Sequence, residues 1–246
     1  MYDLANPQRF DRIARPAIPI AGIVAVGFGL AGLYYGLIDS PADYQQGDTV
    51  RIMYMHVPAA WMSLFCYSIM AGASAVGFVW KHPLADVAAK STAPIGATFT
   101  LLALVTGSLW GKPMWGAWWK WDARLTSVLV LFFLYIGYIS LWRAIEDKNK
   151  AARVAAILAV VGFVNIPIIK FSVEWWNSLH QPASVFRPDG PTIDGSMLRP
   201  LFFMVFAYMA AYAALVVQAM RNELAERRIL RLLRLRAESS SEANMS

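Results

Sequence analysis

Apolar residues gather in six runs along the chain, Ala17 to Ile38, Val57 to Trp80, Ser91 to Leu109, Leu125 to Trp142, Ala152 to Ile169 and Leu201 to Met220. Each has the length, about 17–25 residues, of a helix that crosses the hydrocarbon layer of a bilayer. The pattern predicts an all-α integral membrane protein with six transmembrane helices. Pro58 is expected in the first turn of the second span, where its missing N–H costs nothing. The fifth run opens at Arg153 and closes among Asn165 and Pro167, and a proline there kinks or ends a helix. Five glycines in the first run (Gly22, Gly27, Gly29, Gly32, Gly36) allow close approach of a neighbouring helix. That run is too long for the apolar core of a signal peptide and lacks a small-residue cleavage site, so it is expected to stay as a span.

The polar segments between the runs set the orientation. With the N-terminus inside, fifteen of the 22 Lys and Arg residues fall on the cytoplasmic side and seven on the other. Positive charge is retained on the cytoplasmic face, so both termini are expected there. The formal charge of +6 then follows from topology and a basic tail, and no basic-aromatic patch suggests nucleic acid. Residues 1–16, with Arg9, Arg12 and Arg15, read as a tether at the headgroups. Residues 1–220 form one membrane domain. Beyond it, residues 221–246 read as a basic juxtamembrane segment, interfacial and amphipathic from Arg221 to Arg236, followed by a disordered tail from Ala237. Ala183 to Met197 reads as an outer loop. A composition 58% hydrophobic with mean hydropathy +0.45 agrees with a membrane protein. Cys66 lies alone within the second span and reads as a buried core residue.

One stretch breaks the apolar pattern. Between the third and fourth runs stand Trp110-Gly111-Lys112-Pro113-Met114-Trp115-Gly116-Ala117-Trp118-Trp119-Lys120-Trp121-Asp122-Ala123-Arg124-Leu125-Thr126, read as a short hinged outer loop. Tryptophans commonly form a belt at the membrane interface. A belt, however, does not call for glycines and a proline spaced among the rings, or for a closing Trp-Asp-x-Arg.

Counting crossings places the histidines. His56 follows one span, the tryptophan stretch three and His180 five, so all lie on one face whichever way the chain inserts; His82 lies on the other. If the segment after the fifth span is helical, Trp176 and His180 are i,i+4 neighbours on one face. Two imidazoles beside large flat rings suit haem, which takes axial histidines on iron, apolar walls around the macrocycle and cations for its carboxylates. A closed zinc site needs about four ligands and leaves the tryptophans unexplained. Arg51, Lys112, Lys120 and Arg124 are the candidate cations. Asp122 can pair with Arg124 or cap the fourth helix, and Arg124 can meet either a haem carboxylate or lipid phosphate.

The tryptophan stretch resembles the "WWD" signature of haem-handling membrane proteins. With Ala42-Asp43-Tyr44-Gln45-Gln46-Gly47, His56-Val57-Pro58-Ala59-Ala60 and Val173-Glu174-Trp175-Trp176-Asn177-Ser178-Leu179-His180-Gln181, the chain resembles the haem exporter protein C (CcmC) family of bacterial cytochrome c maturation over nearly all of residues 17–220. The resemblance implies a non-enzymatic protein of the bacterial inner membrane whose site faces the periplasm. It implies haem b on the tryptophan stretch, with His56 and His180 as iron ligands and Trp110, Trp115, Trp118, Trp119, Trp121, Asp122, Arg124, Arg51 and Trp176 around it. It further implies a periplasmic haem chaperone (CcmE) as recipient, ATP-binding cassette transporter subunits (CcmA and CcmB) and a small single-span subunit (CcmD). This chain carries no Gly-rich Lys-Ser/Thr phosphate loop of its own. The alternatives are a cytochrome b-type redox subunit, which would bury its histidines between spans, and a transporter permease with tryptophans as a belt.

Overall fold

The computed structural model describes residues 6–176, 178–181 and 184–243, with side chains to residue 240. It is all-helical: α1 (Pro7–Tyr34), α2 (Met53–Trp80), α3 (Pro83–Trp115), α4 (Ala123–Ala144), α5 (Lys148–Gly162), α6 (Asn165–Trp175) and α7 (Gly195–Ala243). With α5 and α6 acting in line as one crossing, six segments among the described residues are long and apolar enough to span a membrane, as the apolar runs predict.

The helix ends depart from the sequence reading, each for a local reason. Residues 7–16 are the first turns of α1, not a separate tether. The Asn6 side chain accepts the Gln8 N–H and Pro7 occupies the first turn. Asp11 joins Arg15 of α1 to Arg221 of α7, both at 2.8 Å. At the other end α7 runs unbroken to Ala243, so the basic segment continues the sixth crossing as one helix. Its Leu, Arg, Glu and Ala content favours helix, and Arg227 pairs with Glu223 one turn back at 2.8 Å. Residues 244–246 lie outside the described residues.

A 3₁₀ turn over Asp48–Ile52 feeds straight into α2. Pro58 is therefore inside α2 and not in its first turn. The third span likewise continues through Trp115, because Gly116 at φ 71° closes it with an N–H to Lys112 carbonyl bond of 3.0 Å. That left-handed closure is one glycine adopts at little cost. Half of the tryptophan stretch is thus helix, and the loop shrinks to residues 116–122. The fifth crossing breaks at Phe163–Val164 as Pro167 suggested. Asn165 at the break satisfies its amide by donating to the Ser127 carbonyl of α4 at 2.9 Å, and Pro167 falls in the first turn of α6.

In lipid there is little hydrophobic drive between helices, so close packing holds them together. α2 packs most extensively on α3, and α1 on α7. Alanines of α3 and α5 (Ala89, Ala93, Ala97, Ala151, Ala155, Ala159) make room for the buried rings of Tyr67, Tyr135 and Tyr138. Tyr135 donates to the Ser63 carbonyl at 2.8 Å, and its ring fills the space a side chain at Gly96 would need. Because Tyr135 is fully buried, it cannot swing aside. Gly96→Ala should therefore lower stability by about 1–3 kcal/mol, the usual cost of overpacking. Thermal unfolding of the purified protein in detergent is the check, and an unchanged midpoint would contradict the packing described.

Candidate haem-binding site

The outer ends of α2, α3, α4, α6 and α7 surround a partly open cavity of about 810 Å³, lined also by residues 42–46, 184–186 and 192–194. Its size lies within the roughly 300–1,000 Å³ of small-molecule and cofactor sites. Apolar walls come from Val57, Trp61, Leu104, Trp110, Trp115, Val128, Ile169 and Ile193, among others. His56 and His180 both line it, so the face placement argued from crossings becomes a shared chamber.

His56 sits near the start of α2 and backs onto α3. Its Nδ1 lies 3.1 Å from Thr106 Oγ1, while that hydroxyl donates its own proton to the Leu102 carbonyl at 2.6 Å. The hydroxyl can then only accept from the ring. This assigns the proton to Nδ1 and leaves the Nε2 lone pair free. Gly107 lets the ring approach, since a Cβ there would meet His56 Cε1 at 2.8 Å. Trp110 meets the imidazole edge-on with ring centres 5.6 Å apart, and its indole N–H is held by Gln46 Oε1 at 2.9 Å.

His180 lies outside any helix and is fixed by other means. Its Nδ1 is 3.1 Å from Asp122 Oδ2, which also accepts from Ser178 Oγ at 2.6 Å. The His180 backbone N–H donates to Ser178 Oγ at 3.2 Å, closing a small ring of bonds. Asp122 Oδ1 meanwhile accepts the Leu125 N–H at 2.8 Å and caps α4. Burial alone would raise the Asp122 carboxyl, but the bonds from Ser178, Leu125 and His180 outweigh it and hold the group below its ordinary value. Burial, the largest influence on His180, pushes the imidazole below its ordinary value against the opposing pull of Asp122. The resulting arrangement is an imidazole with a carboxylate oxygen on Nδ1 and no partner on Nε2 among the described residues, as histidines that ligate metals are commonly oriented. Trp115 packs edge-on against the ring at 5.1 Å.

The other expected site residues divide into two groups. Trp110, Trp115 and Arg124 line the cavity, with Arg124 Nε donating to Ser172 Oγ at 3.1 Å. The rest stand outside its lining. Trp118 and Trp121 are 55% and 77% exposed; Trp119 packs edge-on against Trp121, and its buried indole N–H finds no partner among the described residues. Arg51 is turned away, donating to the Gly36 and Leu37 carbonyls at 3.1 and 2.8 Å and pairing with Asp48. It fastens the end of the first crossing, whose carbonyls are otherwise unsatisfied. Lys112 reaches the Gly116 carbonyl and the Trp118 ring. Trp176 is exposed and extended at φ −133°, ψ 156°, because α6 ends at Trp175. It is not a helical neighbour of His180; the ring beside that imidazole belongs to Trp115.

Asp122 is found as the cap of α4, one of its two expected roles, and beyond that as the partner of His180. Sequence reasoning passed over Lys170 and Glu174, both in the cavity wall, and the backing groups Thr106 and Gly107. It also read the segment before α7 as a plain loop, whereas Val185, Phe186, Thr192 and Ile193 form a wall. Among the described residues no three His, Cys, Asp or Glu side chains converge to hold a bare metal ion. Two free imidazole nitrogens, an apolar aromatic chamber and the cations Arg124 and Lys170 instead fit a flat anionic macrocycle whose metal lacks axial ligands.

The family described as "Heme exporter protein C" matches residues 1–234. The chain belongs to the haem exporter protein C family. Proteins of that name from Bradyrhizobium diazoefficiens and Escherichia coli are similar to it at 54% identity over 237 residues (96% of this chain, 90% of the relative) and 49% over 222 residues (90% and 89%). The relative of that name from Paracoccus denitrificans is 38% identical over 234 residues, covering 95% of this chain and 97% of its own.

Gly107→Ala separates site from fold. Alanine is favoured over glycine in a helix by about 1 kcal/mol, so unfolding should be no easier, while the His56 ring is driven from its place. The expected outcome is an undiminished thermal midpoint with weakened haem retention, read from the haem-to-protein absorbance ratio after purification. Full retention would show that His56 need not stand where Gly107 permits.

Proposed function

We propose that this protein binds haem b at the periplasmic surface of the bacterial inner membrane and presents it for cytochrome c biogenesis. The observation that carries the reading is the pair of histidines with free Nε2 atoms in one aromatic-walled chamber. His56 and His180 supply the axial ligands, and Trp110 and Trp115 give the macrocycle its apolar wall. Arg124 and Lys170 meet the haem carboxylates, with charge-assisted bonds stronger than neutral ones. Arg51 has a structural role at the end of the first crossing. The excess of Lys and Arg on the opposite face supports the periplasmic placement of the site.

The cargo is held and released, and no bond of it is changed by this chain, which is not an enzyme. Trp118 and Trp121 stand exposed at the rim, where a recipient can meet both the rings and the haem edge. The recipient is a periplasmic haem chaperone of the CcmE kind. Transporter subunits CcmA and CcmB supply the ATP-driven step, and the single-span CcmD completes the complex.

Two experiments test this. Haem should co-purify with the wild-type chain in a six-coordinate form, fall in the single variants His56→Ala and His180→Ala, and be lost from the double variant; a full complement with unchanged ligation in the double variant would sink the assignment. Trp115→Ala should weaken haem retention, whereas Trp121→Ala should keep haem and slow its transfer to the chaperone. Equal retention and transfer in both would return the tryptophans to the role of an interface belt.

A further inference from the structure

The two histidines are backed by groups of different charge. His180 Nδ1 donates to a side-chain oxygen of Asp122, His56 Nδ1 to the Thr106 hydroxyl. We infer that His180 is the anchoring ligand, made so by Asp122, and that His56 is the ligand that yields when haem leaves. This rests on the haem reading above and deepens it.

A carboxylate on the remote ring N–H increases the basicity of the ligating nitrogen and fixes the ring's orientation. A neutral hydroxyl does less, since bonds to an ionised partner are about twice as strong as neutral ones. Asp122 is itself immobilised. One oxygen is held by the Leu125 N–H at the start of α4 and the other by Ser178. His180, lying outside any helix, thereby takes its position from the start of α4 as well as from Ser178 in its own segment. His56 has the reverse arrangement: its place is set by α2 and the gap at Gly107, while its electronic support is a hydroxyl already committed to Leu102. Asp122 is thus a positioning residue that acts on iron through His180. Release then begins at the His56 bond, leaving haem tethered on the His180 side and one iron position open to a recipient's ligand.

The test uses the full-length protein in nanodiscs loaded with ferric haem, with excess apomyoglobin as scavenger. Asp122→Asn keeps the size and a capping oxygen but removes the charge. Haem loss from it should be about 10–100-fold faster, the usual effect of removing such a supporting group, and the haem reduction potential should rise. Thr106→Val should change both much less. His56→Ala should retain haem on His180 better than His180→Ala retains it on His56. Should Asp122→Asn not fold, Ser178→Ala, which frees the carboxylate to turn, should shift loss rate and potential in the same direction. An Asp122→Asn protein with wild-type loss rate and potential, or better retention in His180→Ala than in His56→Ala, overturns the inequality while leaving haem binding in place. A wild-type chain that takes up no haem overturns the haem reading itself.

Discussion

Asp122 divides its two carboxylate oxygens between different tasks. One ends the tryptophan loop by capping α4, and the other holds His180, 58 residues further along the chain. The segment after α6 has no helical scaffold where it bears the imidazole, so the ring takes its direction from this bond together with Ser178 and the packed Trp115 ring. The tryptophan stretch therefore does more than provide a flat surface. Asp122, the last residue of its loop, orients a side chain outside the motif.

The remainder of the fold makes that bond possible. A bilayer demands that backbone groups be satisfied within the chain, so each departure from helix needs its own partner. Gly116 closes α3 on Lys112, Asn165 bridges the break in the fifth crossing to Ser127, and Arg51 collects the carbonyls at the end of the first. These local solutions supply partners at three of the places where the helices end or break. Below the cavity, small residues opposite buried tyrosines keep the helices close; above it they diverge, and the space is walled by tryptophans and the segment before α7.

Much of this was legible in the sequence. Apolar length announced six crossings, and parity placed His56, His180 and the tryptophans together without any knowledge of side-chain packing. What escaped were features settled by pairing across the chain. Arg51 reads as a free cation in sequence because backbone carbonyls carry no residue label, and those of Gly36 and Leu37 take it. Trp176 reads as the partner of His180 on helical spacing, but α6 ends before it and Trp115 fills the place. Hydropathy likewise loses helix ends where polar residues continue a helix, as at Asp48–Ile52 and through Trp115. Asp122 and His180 are too far apart in sequence for any local pattern to join them.

If both imidazoles meet one haem in a single chamber, its iron sits between two nitrogen ligands. Electron paramagnetic resonance of the wild-type protein, reconstituted in nanodiscs and loaded with ferric haem, tests it most directly. A stoichiometric low-spin signal of iron between two nitrogen ligands is expected. A high-spin signal, or the failure to hold haem in stoichiometric amount, would contradict it.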